Sequence, residues 1–200
     1  MKLPTPKFDG ENSLEKAIKD RRTVRSFTPD HLTQEQLSQL TWAAQDITAD
    51  RGYLRATASA GALYPIDLYA VVGENIVEGI GAGVYHYEPK GHSITLVIEG
   101  DLRNEVARAS LSQMWMSMPP LSLVITAEYD RINIKYGTRG VRYAMIEAGH
   151  ISQNIFLQAE ALGLGTGIVG AFDDKNVNRV MGLPSAHEPL LIMPVGYKSR

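Results

Sequence analysis

Strands that fall in hairpins, helices of unequal length between the other strands, and the absence of any linker predict an α+β fold in one domain over residues 1–200. A doubly wound sheet would need a regular βαβ alternation, which the chain lacks. No self-similar period of roughly 20 to 50 residues marks a repeat architecture.

The elements follow in order. Leu14, Ala17 and Ile18 recur at helical spacing behind the capping candidates Asn12 and Ser13, which predicts a short helix. Thr33 and Gln36 read as a capping box, so a second helix covers 34–45 with Leu37, Leu40 and Ala44 on one face. Residues 46–62 are small and polar with Gly52 and Gly61, a loop of the kind that carries function. Ile66–Val72 reads as a strand. Residues 84–87 and 94–98 flank Glu88, Pro89, Lys90 and Gly91, with Pro second and Gly fourth as a turn requires, so they form a β-hairpin. Leu102, Val106 and Ala109 make a further helix. Pro119 and Pro120 then bound a buried strand, Leu121–Ala127. Val141, Met145, Ala148, Ile155, Ala159 and Leu162 predict a helix of about six turns, stopped by Gly163. Residues 165–169 form a short strand, Asp173 or Asp174 caps a helix holding Val177, Val180 and Met181, and Gly182 with Pro184 ends it. Residues 190–195 are the last strand.

Composition excludes several function classes. With 44% hydrophobic and 21% charged residues the chain reads as an ordinary globular protein. A formal charge of −2 and a pI near 6.2 give no field that would gather nucleic acid or an anionic membrane. Without cysteine there are no disulfides, Fe–S clusters, thiolate zinc sites or cysteine nucleophiles, which suits a reducing cytosol. The polar start and the lack of an apolar run of roughly 18 residues predict neither signal peptide nor membrane span, so a cytoplasmic protein is expected.

One cluster points to a ligand. Arg21, Arg22, Thr23, Val24 and Arg25 place three cations and a hydroxyl within five residues, directly after the first helix, where a dianionic phosphate would sit. No nucleophile, metal or cysteine signature stands elsewhere, so the chemistry is expected to come with a phosphorylated cofactor. Lys198 and Arg200, from the other end of the chain, could close around the same phosphate. Gly163, Gly165, Gly167 and Gly170 follow a helix instead of opening one, which excludes a dinucleotide fingerprint. Gly163 reads as a helix stop, the others as main chain able to approach a flat ring system.

Other constellations do not suffice. Glu147 and His150 form a single E-x-x-H, whereas a di-iron site needs a second copy and further carboxylates, so His150 is read as a hydrogen-bonded structural histidine. Ser59 lacks the first glycine of a nucleophile elbow and a nominated base, which speaks against hydrolysis.

Taken together, Arg21-Arg22-Thr23-Val24-Arg25-Ser26-Phe27, Ser59-Ala60-Gly61-Ala62-Leu63-Tyr64-Pro65, Arg142-Tyr143 with Glu147-Ala148-Gly149-His150, Gly163-Leu164-Gly165 and Pro194-Val195-Gly196-Tyr197 resemble the nitroreductase-like FMN oxidoreductases. Within them the chain looks most like the SagB-type dehydrogenases, which oxidise peptide azolines. The resemblance implies an α+β fold with a mainly antiparallel central sheet flanked by helices, and a homodimer with FMN at the subunit interface. It assigns Arg21, Arg22, Thr23 and Arg25, with Lys198 and Arg200, to the phosphate and the pyrimidine side of the flavin. Ser59, Ala60, Gly61, Ala62 and Leu63 would line the cofactor or come from the partner subunit. Val169, Gly170 and Ala171 would form the strand end that approaches the ring. The implied reaction is ping-pong hydride transfer from NADH or NADPH to an electron-poor small molecule. Lys135-Tyr136 resembles a catalytic Lys-Tyr pair of azoline dehydrogenases. The alternatives are a SagB-type dehydrogenase of a peptide or small heterocycle, and a flavin-binding protein without turnover.

Overall fold

A computed structural model describes residues 1–49 and 53–199. Six strands, β1 (Ile66–Val72), β2 (Gly83–Glu88), β3 (Ser93–Glu99), β4 (Leu121–Ala127), β5 (Leu164–Thr166) and β6 (Glu188–Tyr197), form one sheet in the order β3-β2-β1-β4-β6-β5. Every neighbouring pair is antiparallel. Six α-helices cover it: α1 (Leu14–Asp20), α2 (Gln34–Gln45), α3 (Arg103–Ala109), α4 (Asp130–Tyr136), α5 (Arg139–Ala161) and α6 (Asp174–Met181). This is the expected α+β architecture.

Alternation along the central strands builds two cores. Leu68, Ala70 and Val72 of β1 join Leu37 and Leu40 of α2 and Ala148, Ile151 and Ile155 of α5 on one face. Tyr69 and Val71 face the other way, into Val106 of α3 and Val177 and Met181 of α6. Both faces of β1 and β4 are therefore buried, which is why each reads as a continuous apolar run.

Local signals set most boundaries. The Ser13 hydroxyl accepts from Lys16 N–H, Thr33 and Gln36 complete a capping box, and the Asp173 carboxylate accepts from Asn176 N–H. Gly182 takes the left-handed conformation that ends α6, and Gly163, at φ 73°, follows α5 in the same region.

Two elements depart from expectation. Residues 130–136 form α4, where the sequence analysis placed no element. The strand expected over 165–169 stops at Thr166, because Gly167 leaves the ladder under the indole of Trp115. Its N–H still reaches Pro194 O at 3.0 Å, and Val169 exchanges two 2.9 Å bonds with Ile192. Among the described residues no helix is long and apolar enough to cross a membrane.

Candidate cofactor site

The cationic segment is threaded by main chain. Arg21 N–H caps α1 on Ala17 O at 3.0 Å, after which Thr23 bridges Thr166 and Val24 N–H donates to Thr166 O at 3.0 Å. Phe27 then bridges Lys198. Residues 21–27 thus run along β5 and the end of β6. Arg21 lies 5.0 Å over the Phe156 ring and Arg25 5.9 Å over Trp115. Arg22 Nη1 donates to Lys19 O and Arg21 O, each at 2.8 Å. Among the described residues none of these three arginines makes an ion pair. Lys198 differs: its Nζ holds Glu160 at 2.7 Å. Arg200 lies outside the described residues.

The glycines divide. A Cβ on Gly165 would stand 2.8 Å from Val24 Cγ2 and 2.9 Å from Lys198 Cγ, and one on Gly167 2.7 Å from the Trp115 ring. Those two glycines therefore admit the chain's own side chains, which corrects the reading that they face a bound ring. Gly170 is exposed, and a Cβ there would meet only Leu191 Cδ2, at 3.7 Å. It lies four residues past Thr166, at most roughly 14 Å along the chain from the partner of Thr23. Ala171 O beside it accepts from Gln113 Nε2 at 3.0 Å. Sequence reasoning missed Trp115, which seats both Arg25 and Gly167; its signal was the apolar string Met114, Trp115, Met116 before the prolines.

A second group forms around the 59–64 turn. Gly61, Ala62 and Tyr64 all have positive φ, at 65°, 54° and 47°, a costly conformation for the two that are not glycine. Ser59 ties the turn: its Oγ accepts from Tyr64 N–H at 3.0 Å and its carbonyl from Ala62 N–H at 3.1 Å. A Cβ on Gly61 would be 2.8 Å from Tyr136 Oη and 3.0 Å from Lys135 Nζ, so Lys135 and Tyr136 of α4 pack against the turn. Ala60 belongs to its short 3₁₀ segment and Leu63 is half-buried. Among the described residues no hydrogen bond or ion pair joins this group to the Arg21–Gly170 group.

Two further polar networks are present, the first touching the 59–64 turn, where Arg131 Nη1 donates to Tyr64 O at 3.3 Å. Asp67, Glu128 and His187 offer ligand atoms within 4.8 Å of one another, but the Arg131 guanidinium occupies the space between the carboxylates, 2.8 Å from Asp67 Oδ2. Burial alone would raise Asp67; the hydrogen bond from His86 and the charge of Arg131 outweigh it and hold the carboxyl below its ordinary value. Ser38 Oγ lies 2.7 Å from His92 Nε2, and His92 Nδ1 2.8 Å from Asp46 Oδ2. That Ser-His-Asp order is not a hydrolytic site, since Ser38 is buried and donates to Pro4 O.

An antiparallel sheet wrapped by helices thus carries at its β5 edge an arginine cluster that makes no ion pair among the described residues. The chain belongs to the nitroreductase family, whose model matches residues 18–197, and so to the FMN-dependent oxidoreductases. It is 40% identical over 198 residues to a protein of Methanocaldococcus jannaschii assigned as a nitroreductase, covering 99% of this chain and 97% of that one. It is 30% identical over 132 residues to the microcin B17-processing protein McbC of Escherichia coli, over 64% of this chain and 48% of McbC. A Ralstonia eutropha crystal structure assigned as a nitroreductase superposes with a TM-score of 0.83 at 26% identity, covering 99% of this chain and 89% of that one.

The residues present fit a phosphorylated planar cofactor. Thr23, Arg22 and Arg25 are exposed, and the space where a Gly170 side chain would stand is open.

Proposed function

We propose that this chain is an NAD(P)H oxidoreductase that uses FMN, acts on electron-poor small molecules such as nitroaromatics or quinones, and works as a homodimer of one-domain subunits. The observation that carries the reading is that residues 21–25, whose three arginines make no ion pair among the described residues, are tied by main chain to Thr166, four residues before the open main chain at Gly170. Bound FMN would supply the two-electron chemistry, accepting hydride from NADH or NADPH and giving it to an acceptor that replaces the nicotinamide, in ping-pong order. Arg21, Arg22, Thr23 and Arg25 would hold the phosphate and pyrimidine side through charge-assisted hydrogen bonds, about twice as strong as neutral ones. Lys198 would join them by exchanging Glu160 for phosphate, with Arg200 beside it. Main chain at Val169, Gly170 and Ala171 would face the ring edge, and Ser59, Ala60, Gly61, Ala62 and Leu63 would line it from the partner subunit.

Three features support the shared site. The arginine group lies on an open surface, whereas a groove of about 830 Å³ between residues 7–14, α2 and α5 contains none of the expected cofactor residues. The 59–64 turn shares no hydrogen bond or ion pair with the arginines among the described residues, which leaves it available to a cofactor shared across an interface. The outer face of α5 exposes Met145 at 54% and Ile146 at 49%, with open space at Gly149.

The purified protein is expected to show visible flavin absorption and to oxidise NADH or NADPH with a nitroaromatic acceptor. Bound flavin without oxidation of either nicotinamide would instead mark a flavin carrier. Gly170→Val is expected to weaken FMN binding by on the order of tenfold or more, since a branched Cβ occupies the ring's approach while the neighbouring Leu191 leaves it room. Unchanged affinity in a fluorescence titration would remove the main-chain contact.

A second reading, dehydrogenation of a peptide or small heterocycle, draws support from Lys135 and Tyr136 sitting against Gly61. Loss of turnover in Tyr136→Phe with a heterocyclic substrate, but not with a nitroaromatic, would favour it.

A further inference from the structure

Trp115 stands in the short 3₁₀ segment Met114–Ser117 and meets three other parts of the candidate site. Arg25 lies 5.9 Å over its ring, the Phe27 ring stacks with it at 6.4 Å and 15°, and a Cβ on Gly167 would come within 2.7 Å of it. The same Cβ would meet Val24 O at 2.9 Å, so Gly167 fits between the indole and the main chain of the arginine segment. Two residues before the tryptophan, Gln113 Nε2 donates to Ala171 O at 3.0 Å. One short segment thus grips the 167–171 stretch at both ends and the arginine segment at Arg25.

The ring's neighbours are themselves held. Phe27 is buried and its main chain bridges Lys198, while Gly167 N–H is tied to Pro194 O at 3.0 Å. An indole packed against such partners has little room to turn, so the cation over it is placed as well. Among the described residues Arg25 makes no ion pair, which leaves the indole contact to place its guanidinium. Arg21, four residues earlier, rests on a different ring, 5.0 Å over Phe156.

We propose that Trp115 is a positioning residue: it holds Arg25 and the 167–171 main chain in register, so that the anion-binding cation and the stretch that meets the flavin ring are set before the cofactor arrives. The inference rests on the proposed assignment of Arg25 and Gly170 to FMN. An arginine free to sample its rotamers loses that freedom when it grips an anion, and one already seated over a ring loses less. Leucine at position 115 would fill space without offering a π face, whereas phenylalanine would keep a smaller one.

The test titrates FMN into dialysed wild type, Trp115→Phe and Trp115→Leu by fluorescence quenching, each with and without Arg25→Ala or Arg21→Ala. Urea unfolding confirms that every variant compared is folded. Trp115→Leu is expected to weaken binding about threefold to thirtyfold, and Trp115→Phe to recover most of that loss. In the Trp115→Leu background the penalty of Arg25→Ala is expected to shrink by roughly the same factor, while that of Arg21→Ala stays as in wild type. Equal Arg25→Ala penalties in both backgrounds overturn the proposal, as does an equal reduction for both arginines, which would make Trp115 a support of the fold alone. A second measurement leaves position 115 intact. The chain has two tryptophans, so in Trp42→Phe the indole emission comes from Trp115. Without flavin, Arg25→Ala is expected to change the intensity or maximum of that emission and Arg21→Ala to leave both as they were. Emission indifferent to Arg25→Ala overturns the seat on the indole, and the proposal with it. Wild type that binds no FMN instead brings down the cofactor reading, and this inference falls with that reading.

Discussion

Arg21→Ala combined with Arg25→Ala is expected to weaken FMN binding by about a hundredfold to ten-thousandfold, two charge-assisted hydrogen bonds contributing roughly 1.5 to 3 kcal/mol each. The chain itself should tolerate the change. Each guanidinium lies over an aromatic ring, Phe156 or Trp115, and such contacts contribute only about 0.5 to 1 kcal/mol at exposed sites. The backbone path past β5 is held by Val24 N–H on Thr166 O, which neither substitution touches. Urea unfolding should therefore place the double variant within about 2 kcal/mol of wild type. A titration showing wild-type affinity would end the phosphate assignment.

Glu147→Gln is expected to stabilise the fold in alkaline solution. The folded carboxyl titrates at about 7 against an ordinary 4.5, so the folded chain holds this proton more tightly than the unfolded one. The stability that this group contributes is full below about pH 4.5 and declines as pH rises through about 7. Glutamine carries no such decline. At about pH 8 the variant should exceed wild type by up to about 3 kcal/mol, and near pH 4.5 the two should converge. Urea midpoints across that range decide it, and a variant less stable than wild type at the upper end would show that burial is not the dominant influence on this carboxyl.

The sequence disclosed elements wherever short-range chemistry decided them. Ser13, Thr33 with Gln36, Asp173 and Gly182 act as the caps their residue types announce, continuous apolar runs placed β1 and β4, and the 3.6-residue pattern placed α5. α4 escaped because no side chain caps it and because Ile132 and Ile134 alternate as in a strand, with Ile134 left 89% exposed. The end of β5 escaped because Trp115, fifty residues away in sequence, decides where Gly167 leaves the ladder.

The candidate site divides on the same line. Residues 21–25 were legible as a local density of charge. Packing of Gly61 against Lys135 and Tyr136 is a tertiary contact without local pattern. Glu147 did leave a trace, a carboxylate on the helix stripe that also carries Ala144, Ala148 and Ile151, but its burial follows only from the fold.

The pairing of Thr23 with Thr166 anchors residues 21–25 through main chain, so in the proposed site the scaffold is separate from the ligand chemistry. Because peptide groups do the anchoring, the identities of the side chains they carry are available to selection at little structural penalty. Mutational libraries at positions 21, 22 and 25 could therefore be screened for altered nucleotide preference with most members still soluble, a plasticity that the Gly167 crossing, sealed by Trp115, does not share.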